Sequence, residues 1–245
     1  MNYDIFFYFI SIFFLTTVLF KMLERKDDIY IKARRVIYCF WTGTNEMSEN
    51  RKKCLDNLTK YSGVPVILVT PTNLNKFIIK DKPLHEGYQY LSETHKSDYL
   101  RTYFMRFHGG GYSDIKKTTG DWNDSFTKLN NSDKWIIGYR EYEGGSANKS
   151  LTDDWKDLIG NGAYICKPNT PFVIEWYNNM NSVMDTKYEE LKKNPSTFPR
   201  DKKELNNGYP IEWNELLGRI FHKYVYYYKD KVMRTLPTIN TEDYL

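Results

Sequence analysis

An almost unbroken apolar run, Ile5 to Phe20, lies near the start of the chain and is followed by Lys21. Its sixteen residues rise about 24 Å as a helix, slightly less than a hydrocarbon core of roughly 30 Å, and snorkelling of Lys21 makes up part of the difference. We therefore predict a single-pass membrane anchor in residues 1–23, a charged tether in 24–35 and one domain in 36–245. A cleaved signal peptide is the alternative, but the run lacks a positive n-region and a small-residue cleavage site.

The sequence leaves open the side of the membrane on which the domain lies. Lysine and arginine follow the apolar run and none precedes it, which by the positive-inside rule keeps the domain in the cytosol. Asn-x-Ser/Thr sequons favour a lumenal domain instead, and they begin at Asn57, Asn123, Asn130 and Asn148. We expect a single-pass membrane protein in one of these two orientations.

Beyond the tether, short apolar runs alternate with segments of helical periodicity. Val36–Phe40 and Val64–Val69 are predicted to be buried strands, and Glu49–Tyr61, with Ser48 as its N-cap, a helix between them. A strand, a helix and a strand within about 35 residues form a βαβ unit with parallel strands and a right-handed crossover. The pattern therefore predicts an α/β fold with a mostly parallel central sheet flanked by helices.

A second helix is predicted after Ser92, from an apolar stripe at spacings of three and four that comprises Leu100, Tyr103, Phe104 and Phe107. The run Gly109–Gly111 then stops the helix, because glycine readily takes a positive φ. The chain is expected to reverse there and to leave as a short strand, Tyr112–Ile115, with Asp114 near its end.

The second half of the domain continues the pattern. Its predicted elements are two strands, Lys134–Gly138 and Asn161–Cys166, and two helices, Pro171–Met180 and Ile211–Tyr224. Between the strands, Glu141–Ser150 is predicted to be a loop rich in glycine and serine. Lys187–Lys203 is charged and interrupted by prolines, so we interpret it as a solvated excursion.

Composition restricts the class of function. The 245 residues are 41% hydrophobic, which suffices for one substantial core, and the formal net charge is +4. So small a charge, without a basic stripe that includes aromatic residues, argues against nucleic acid as a partner. Aromatic residues make up 17% of the chain, a content that suits stacking on sugars and bases as well as core packing. Cys39, Cys54 and Cys166 show neither metal-ligand nor disulfide spacing.

Asp98 and Arg101 lie three residues apart on the second predicted helix, off its apolar stripe. At this spacing they can pair with each other or hold a polar ligand together. Taken alone, such a pair is typical of a solvated helix surface, where it contributes roughly 0.2–0.5 kcal/mol. The residues that follow give it a second interpretation.

The order Ser-Asp-x-x-Arg, an aromatic helix, Gly-Gly and a strand ending in Asp resembles the motif of capsular polysaccharide synthesis proteins and of DXD-containing mannosyl- and glucosyltransferases. In this chain the motif comprises Ser97, Asp98, Arg101, Gly109, Gly110, Tyr112 and Asp114. The loop of Trp41, Thr42 and Gly43 is similar to the Trp-x-Gly of the same families, whose aromatic residue lies near the nucleotide base. A tryptophan that closes the sheet edge is the alternative. The resemblance implies a GT-A-like, Rossmann-like fold that binds a UDP- or GDP-sugar.

The resemblance also implies roles for these residues. Asp98 and Arg101 would hold hydroxyls of the donor sugar, and Asp114 would contact the ribose or the sugar. The chain departs from the families at the second acidic position of Asp-x-Asp, which is Lys116. A Mn²⁺ or Mg²⁺ ion on oxygen ligands, here Asp114, normally neutralises the departing diphosphate. Protonated Lys116 cannot ligate a metal, so we expect its ammonium, with Lys117 in reserve, to meet the diphosphate directly.

Metal dependence is therefore expected to be weak or absent. The alternative is that the two lysines form a solvated loop and that Asp121, Asp124 or a distant residue supplies a metal ligand. His95 and His108 lie near the motif without a cysteine or histidine at ligand spacing, so we assign neither to a metal.

The predicted function is that of a membrane-anchored glycosyltransferase, which moves a sugar from a nucleotide sugar to a hydroxyl of a glycan, glycolipid or glycoprotein. The resembled families retain anomeric configuration, which needs no dedicated base because the departing phosphate can take the proton. A degenerate transferase fold that binds or assembles glycans is the alternative. A glycosidase built on Glu212 and Glu215 is a third, although the helix dipole alone favours glutamates in a first turn.

Overall fold

The computed structural model describes residues 31–242 of the chain. The residues from Ala33 onward form one compact unit. Within the described residues, no helix has the length and apolar character needed to cross a membrane. The predicted anchor, Ile5–Phe20, and most of the predicted tether lie outside the described residues.

Six strands of the described chain form the central sheet, in the order β2-β1-β3-β6-β5-β7, and β4 pairs with β8 in a separate ribbon. The strands are β1 (Ile37–Phe40), β2 (Val66–Val69), β3 (Gly110–Ser113), β4 (Lys117–Thr118), β5 (Ile136–Arg140), β6 (Ile159–Cys166), β7 (Val232–Met233) and β8 (Ile239–Asn240). Within the central sheet, β6 runs antiparallel to both of its neighbours, and the other pairs are parallel. The prediction of a mostly parallel sheet is confirmed.

The helices pack on both faces of this sheet. They are α1 (Glu49–Tyr61), α2 (Glu93–Phe107), α3 (Asn123–Asn130), α4 (Pro171–Lys193) and α5 (Gly218–Tyr227). Cys54 and Leu58 of α1 share one apolar cluster with Ile37 of β1. Phe104 of α2 shares the other cluster with Tyr38 of β1. Neighbouring residues of β1 thus face opposite layers, as expected for a strand that is buried on both sides.

The two predicted serine caps are present. Ser48 Oγ accepts a hydrogen bond from Arg51 N at 3.3 Å and begins α1, and Ser92 Oγ accepts one from His95 N at 3.3 Å and begins α2. Each cap satisfies a backbone donor that has no partner inside the helix. The bounds of α1 and the start of α2 therefore agree with the sequence pattern.

The three glycines after α2 have two different roles. Gly109 ends the helix with a φ of +61°, and a Cβ there would overlap Pro168. Gly110 and Gly111 belong to β3, where a Cβ on Gly111 would lie 3.0 Å from a side chain of β1. The predicted strand Tyr112–Ile115 is therefore wrong in its bounds, because close packing against β1 draws two glycines into the sheet.

Two predictions for the second half are wrong. Residues 187–193 do not belong to a solvated excursion, because α4 continues to Lys193 and buries Leu191. Residues 211–217 form turns and irregular backbone, and α5 begins only at Gly218. Within these turns the Glu215 carboxylate accepts a hydrogen bond from Glu212 N at 2.9 Å.

Candidate functional site

A cleft of about 410 Å³ opens at the carboxyl ends of β1 and β3. These strands are neighbours, and β2 pairs with the other edge of β1, so the strand order reverses here. Ligand crevices of open α/β sheets lie at such switch points. The cleft is therefore in the position where this topology favours ligand binding.

Most of the predicted site residues line this cleft, namely Trp41, Thr42, Gly43, Ser97, Arg101, Tyr112, Asp114 and Lys116. Asp98 and Gly110 do not line it. Gly110 lies within β3, close to the backbone of residues 34–36. The fold thus brings together the loop after β1, one face of α2 and the end of β3, and the roles of these residues stay predictions.

Asp114 is the centre of a charge cluster that we call the motif wall, which comprises Arg101, Tyr112, Asp114 and Lys116. Its Oδ1 lies 3.2 Å from Arg101 Nη2 and accepts a hydrogen bond from Tyr112 OH at 2.6 Å. Its Oδ2 lies 3.0 Å from Lys116 Nζ. One carboxylate therefore holds two cations at the cleft.

Burial and charge act in opposite directions on Asp114. Burial would raise the pKa of this carboxyl, but the adjacent Arg101 and Lys116 outweigh it and hold the pKa below its ordinary value. The side chains of Asp114, Arg101 and Lys116 are 21%, 11% and 15% exposed, so water and salt screen the cluster only weakly. The carboxylate is therefore ionised at neutral pH.

Arg101 is fixed by contacts on several sides. Its Cζ lies 4.5 Å from the ring centroid of Tyr112, and its Nη1 donates a hydrogen bond to Asn161 O at 3.0 Å. Its Nη2 lies 3.4 Å from Asp98 Oδ1, and the Asp98 side chain is only 7% exposed. Burial raises the pKa of Asp98 to about 6, although Arg101 acts in the opposite direction. Asp98 thus supports Arg101 and does not line the cleft, and its contact with the sugar stays a prediction.

The loop after β1 is tied to the start of α2. The Nε1 of Trp41 donates a hydrogen bond to Asn45 O at 2.9 Å, and Thr42 Oγ1 donates one to Glu93 O at 2.7 Å. Trp41 remains partly exposed and lines the cleft. This position favours contact with a ligand over the alternative, a tryptophan that only closes the sheet edge.

The opposite side of the cleft was not predicted from the sequence. Pro199, Arg200 and Trp213 line it, and we call them the far wall. Pro199 and Arg200 are exposed, as predicted for a solvated segment. Their loop is anchored by Asp201, which is 2% exposed and accepts hydrogen bonds from two backbone N–H groups, both at 2.8 Å. The available signal was Trp213, an aromatic residue that follows a charged stretch.

Arg51 of α1 was also missed. Its Nη1 donates a hydrogen bond to Ile115 O at 2.9 Å, next to the motif wall. The cleft thus has four cationic side chains and two acidic ones: Arg51, Arg101, Lys116 and Arg200, with Glu93 and Asp114. An excess of positive charge in a cleft attracts an anionic ligand.

The residues present do not fit a divalent cation. Asp121 accepts a hydrogen bond from Asn123 N at 2.6 Å, and Asp124 pairs with Lys128 at 2.6 Å, so both alternative ligands are engaged outside the cleft. Within residues 31–242, no group of three or more His, Cys, Asp or Glu side chains is arranged to hold a metal. Asp114 has a cation beside each of its carboxylate oxygens, where a metal would need them.

The two glutamates considered for a glycosidase are also engaged elsewhere. Glu212 pairs with Arg219 and, at 3.8 Å, with Lys203. Glu215 bonds the backbone of the same turn, and neither glutamate lines the cleft. Their positions do not support an acid/base pair in this cleft.

Fold and site together define an α/β protein with a cation-rich cleft at the switch point of its sheet. The chain belongs to the family of capsular polysaccharide synthesis proteins, whose family model matches residues 10–188. The match includes the loop after β1 and the whole motif, and it confirms the resemblance at the level of the family. The far wall lies beyond the last matched residue.

Among solved structures, the chain is similar to one titled PaToxG Glycosyltransferase. The two are 14% identical, the alignment covers 89% of this chain and 80% of that chain, and the TM-score is 0.47. No curated protein matches the chain significantly.

Proposed function

We propose that this protein is a glycosyltransferase that moves a sugar from a UDP- or GDP-sugar to a hydroxyl of a glycan, glycolipid or glycoprotein. The observation that carries the proposal is the motif wall, where Asp114 holds Arg101 and Lys116 at a cleft in a capsular polysaccharide synthesis family member. The position of the cleft supports it, because open α/β sheets bind nucleotides at such switch points.

The charges and size of the cleft suit a sugar nucleotide. A diphosphate brings about two negative charges, and Arg51, Arg101 and Lys116 supply cations on one side of the cleft. We place the diphosphate beside Lys116, the donor sugar at Arg101 and Asp114, and the base near Trp41. The cleft volume of about 410 Å³ lies within the range of roughly 300–1,000 Å³ that is usual for small-molecule sites.

Lys116 takes the part that a metal ion has in transferases with a complete Asp-x-Asp. Its ammonium lies 3.0 Å from Asp114 and is therefore positioned before the donor binds. A positioned cation stabilises the negative charge that grows on the leaving diphosphate. Transfer is then independent of added Mn²⁺ or Mg²⁺.

The proposed transfer retains the anomeric configuration. The bond from C1 to the diphosphate oxygen breaks as the acceptor oxygen forms a bond to C1 on the same face of the sugar. The acceptor's hydroxyl proton passes to the departing phosphate oxygen, so no protein base is required. Lys116 stabilises the diphosphate, Arg101 positions the donor sugar, and ionised Asp114 keeps both cations in place.

We further propose that residues 1–23 anchor the enzyme in a membrane as a single span. The run Ile5–Phe20 supports this through its length and apolar character. A glycosidase-induced gel shift of the full chain, expressed in a host that glycosylates lumenal sequons, would indicate a lumenal domain.

The test is turnover of UDP- and GDP-sugars by the full chain in detergent with excess EDTA. We expect slow hydrolysis of at least one of them and no response to the chelator. Loss of activity in EDTA with recovery in Mn²⁺ would contradict the role of Lys116. Binding without turnover would indicate a degenerate transferase, and the absence of both binding and turnover would contradict the proposal itself.

A further inference from the structure

We propose that the far wall, together with Lys202, binds an anionic group on the acceptor, so that the enzyme uses an acidic saccharide that carries a carboxylate or a phosphate. This inference rests on the proposed function, because it assigns the acceptor side of the same cleft. The positive charges of Arg200 and Lys202 are not needed to bind the donor.

Arg200 and Lys202 are two cations beside one aromatic ring. Arg200 Cζ lies 5.6 Å and Lys202 Nζ lies 5.0 Å from the ring centroid of Trp213. The next residue, Lys203, forms an ion pair with Glu212, whereas Arg200 and Lys202 form none within residues 31–242. The two cations lie on either side of buried Asp201 in sequence. Because neither is ion-paired within that range, they create a positive potential around Trp213, which lines the cleft.

The acidic residues of the same segment are engaged in other contacts. Glu204 accepts the backbone N–H of Trp213 with both carboxylate oxygens, at 3.1 and 3.2 Å. Glu212 pairs with Arg219 and Lys203. The positive charge of the far wall is therefore left for a ligand.

The loop that carries these cations is fixed in place. Asp201 lies between them in sequence and is buried. Its Oδ2 accepts two backbone N–H groups at 2.8 Å, and its Oδ1 accepts Asn207 Nδ2 at 2.7 Å. Trp213 is partly exposed and offers its ring to the apolar face of a sugar. A fixed ring with cations beside it matches a sugar with an acidic substituent.

The donor does not account for this charge. Its diphosphate already has Lys116 and Arg51 on the other side of the cleft, where Arg101 holds the donor sugar. The family match ends at residue 188, so the far wall lies outside the part that this chain shares with the family model. A surface outside the shared part suits recognition of a substrate particular to this protein.

Calorimetric titration of the full chain in detergent compares a hexuronic acid trisaccharide, its carboxyl-reduced neutral counterpart and UDP. We expect the uronate to bind about tenfold more tightly than the neutral trisaccharide. The double variant Arg200→Gln/Lys202→Gln should remove this preference and leave the affinity for UDP unchanged. Trp213→Leu should weaken both trisaccharides about fivefold, and Trp213→Phe, which keeps a ring, should weaken them less.

The matched control is Lys60→Gln/Lys156→Gln. Lys60 lies 5.0 Å over the ring of Tyr61 and Lys156 lies 5.4 Å over that of Trp155, in both cases outside the cleft. This variant removes the same two charges from similar surroundings. We expect it to keep the full preference for the uronate.

Three outcomes would overturn the inference. The wild type could bind both trisaccharides equally, the control could lose the preference as well, or Arg200→Gln/Lys202→Gln could lose affinity for UDP to the same degree. The last result would assign the cations to the donor. Failure of the proposed function has a different signature, because no nucleotide sugar would then be bound or hydrolysed while the preference for the uronate persisted.

Discussion

The two walls of the cleft hold their charges in opposite ways. On the motif wall, Arg101 and Lys116 are paired with Asp114 at 3.2 and 3.0 Å. On the far wall, Arg200 has no ion pair in the described part of the chain and lies over the ring of Trp213. One wall is an assembled cluster with an internal counter-ion, and the other presents charge that has no counter-ion.

This difference suggests that the motif wall serves the chemical step and that the far wall serves recognition of the acceptor. Cations that are already in position stabilise a developing charge without rearrangement. An unpaired cation on a surface loop contributes more to the choice and the steering of an anionic partner. We therefore expect changes in the motif wall to reduce turnover of the donor itself, and changes in the far wall to alter only the use of acceptors.

The largest expected effect is that of Asp114→Asn. The neutral amide removes the charge that holds Arg101 and Lys116, and the low pKa of Asp114 means that the wild type uses the ionised form. We expect turnover of the nucleotide sugar to fall about 10³-fold, with or without an acceptor. Hydrolysis and transfer, measured in parallel, check this expectation.

Asp124→Asn is the matched control for this change. Asp124 forms an exposed ion pair with Lys128 on α3, outside the cleft, and it was one of the alternative metal ligands. Its loss should change turnover less than about twofold, since exposed pairs contribute little. Comparable losses of turnover in Asp114→Asn and Asp124→Asn would contradict a specific role of the motif wall in turnover.

Lys116→Asp tests what the ammonium contributes. The substitution completes an Asp-x-Asp pattern, so we expect about 10²-fold lower activity in EDTA and partial recovery in Mn²⁺. Lys117→Asp makes the same charge change in β4, outside the cleft, and should give no response to metal. A requirement for Mn²⁺ in the wild type, without recovery in Lys116→Asp, would mean that a metal binds elsewhere.

The motif wall could be predicted from the sequence because its determinants are local. The Ser92 cap, the apolar stripe of α2 and the glycines before Tyr112 all belong to one continuous stretch, residues 92–111. The same locality limited the prediction for Asp98, since a spacing of three residues fits an exposed pair and a buried pair equally. Packing against the rest of the fold buries Asp98, and no local pattern records that.

The far wall could not be predicted for a related reason. Asp201 fixes its loop by accepting hydrogen bonds from residues before and after it in sequence, and Arg200 contacts the ring of Trp213. Neither contact has a periodicity, and the charged composition favours a solvated segment. The continuation of α4 did have a signal, because Met184, Tyr188 and Leu191 follow Met180 at spacings of four, four and three residues, although charged residues surround them.

Asp98→Asn should give a smaller effect, on stability. Burial raises the pKa of Asp98 from 3.8 to about 6, so between these values the folded protein holds a proton that the unfolded chain has released. This contribution is complete below about pH 4 and is lost as the pH rises through about 6. Asparagine stays neutral, so the stability of the variant relative to the wild type should rise by about 2 kcal/mol between about pH 4 and pH 7.5.

Urea denaturation of both proteins at the two pH values measures this difference. A constant difference would show that Asp98 titrates alike in the folded and unfolded chains. Asp114 serves as the comparison of opposite sign, because its pKa is lowered on folding. The stability that Asp114 contributes is present above the ordinary carboxyl pKa and is lost as the pH falls through the lowered one.

The smallest expected effect on turnover comes from removing the hydroxyl of Tyr112, which is hydrogen-bonded, and is compared with removal of the hydroxyl of Tyr164, which within residues 31–242 is not. Tyr112 OH donates a hydrogen bond to Asp114 Oδ1 at 2.6 Å. Tyr164 OH, on neighbouring β6, is buried and has no hydrogen-bond partner in the described structure, although its ring lies only 5.3 Å from that of Tyr112. Tyr112→Phe keeps the ring beside Arg101 but leaves Asp114 one hydrogen bond short, so we expect about fivefold lower turnover, or about 1 kcal/mol.

Tyr164→Phe is the matched control because it removes a buried hydroxyl that makes no hydrogen bond. It should leave turnover unchanged and raise the free energy of unfolding slightly, since an unpaired polar group is costly to bury. Turnover of the nucleotide sugar by both variants decides the point. If Tyr112→Phe is as active as Tyr164→Phe, the hydroxyl does not order Asp114, and the motif wall is held by its two cations alone.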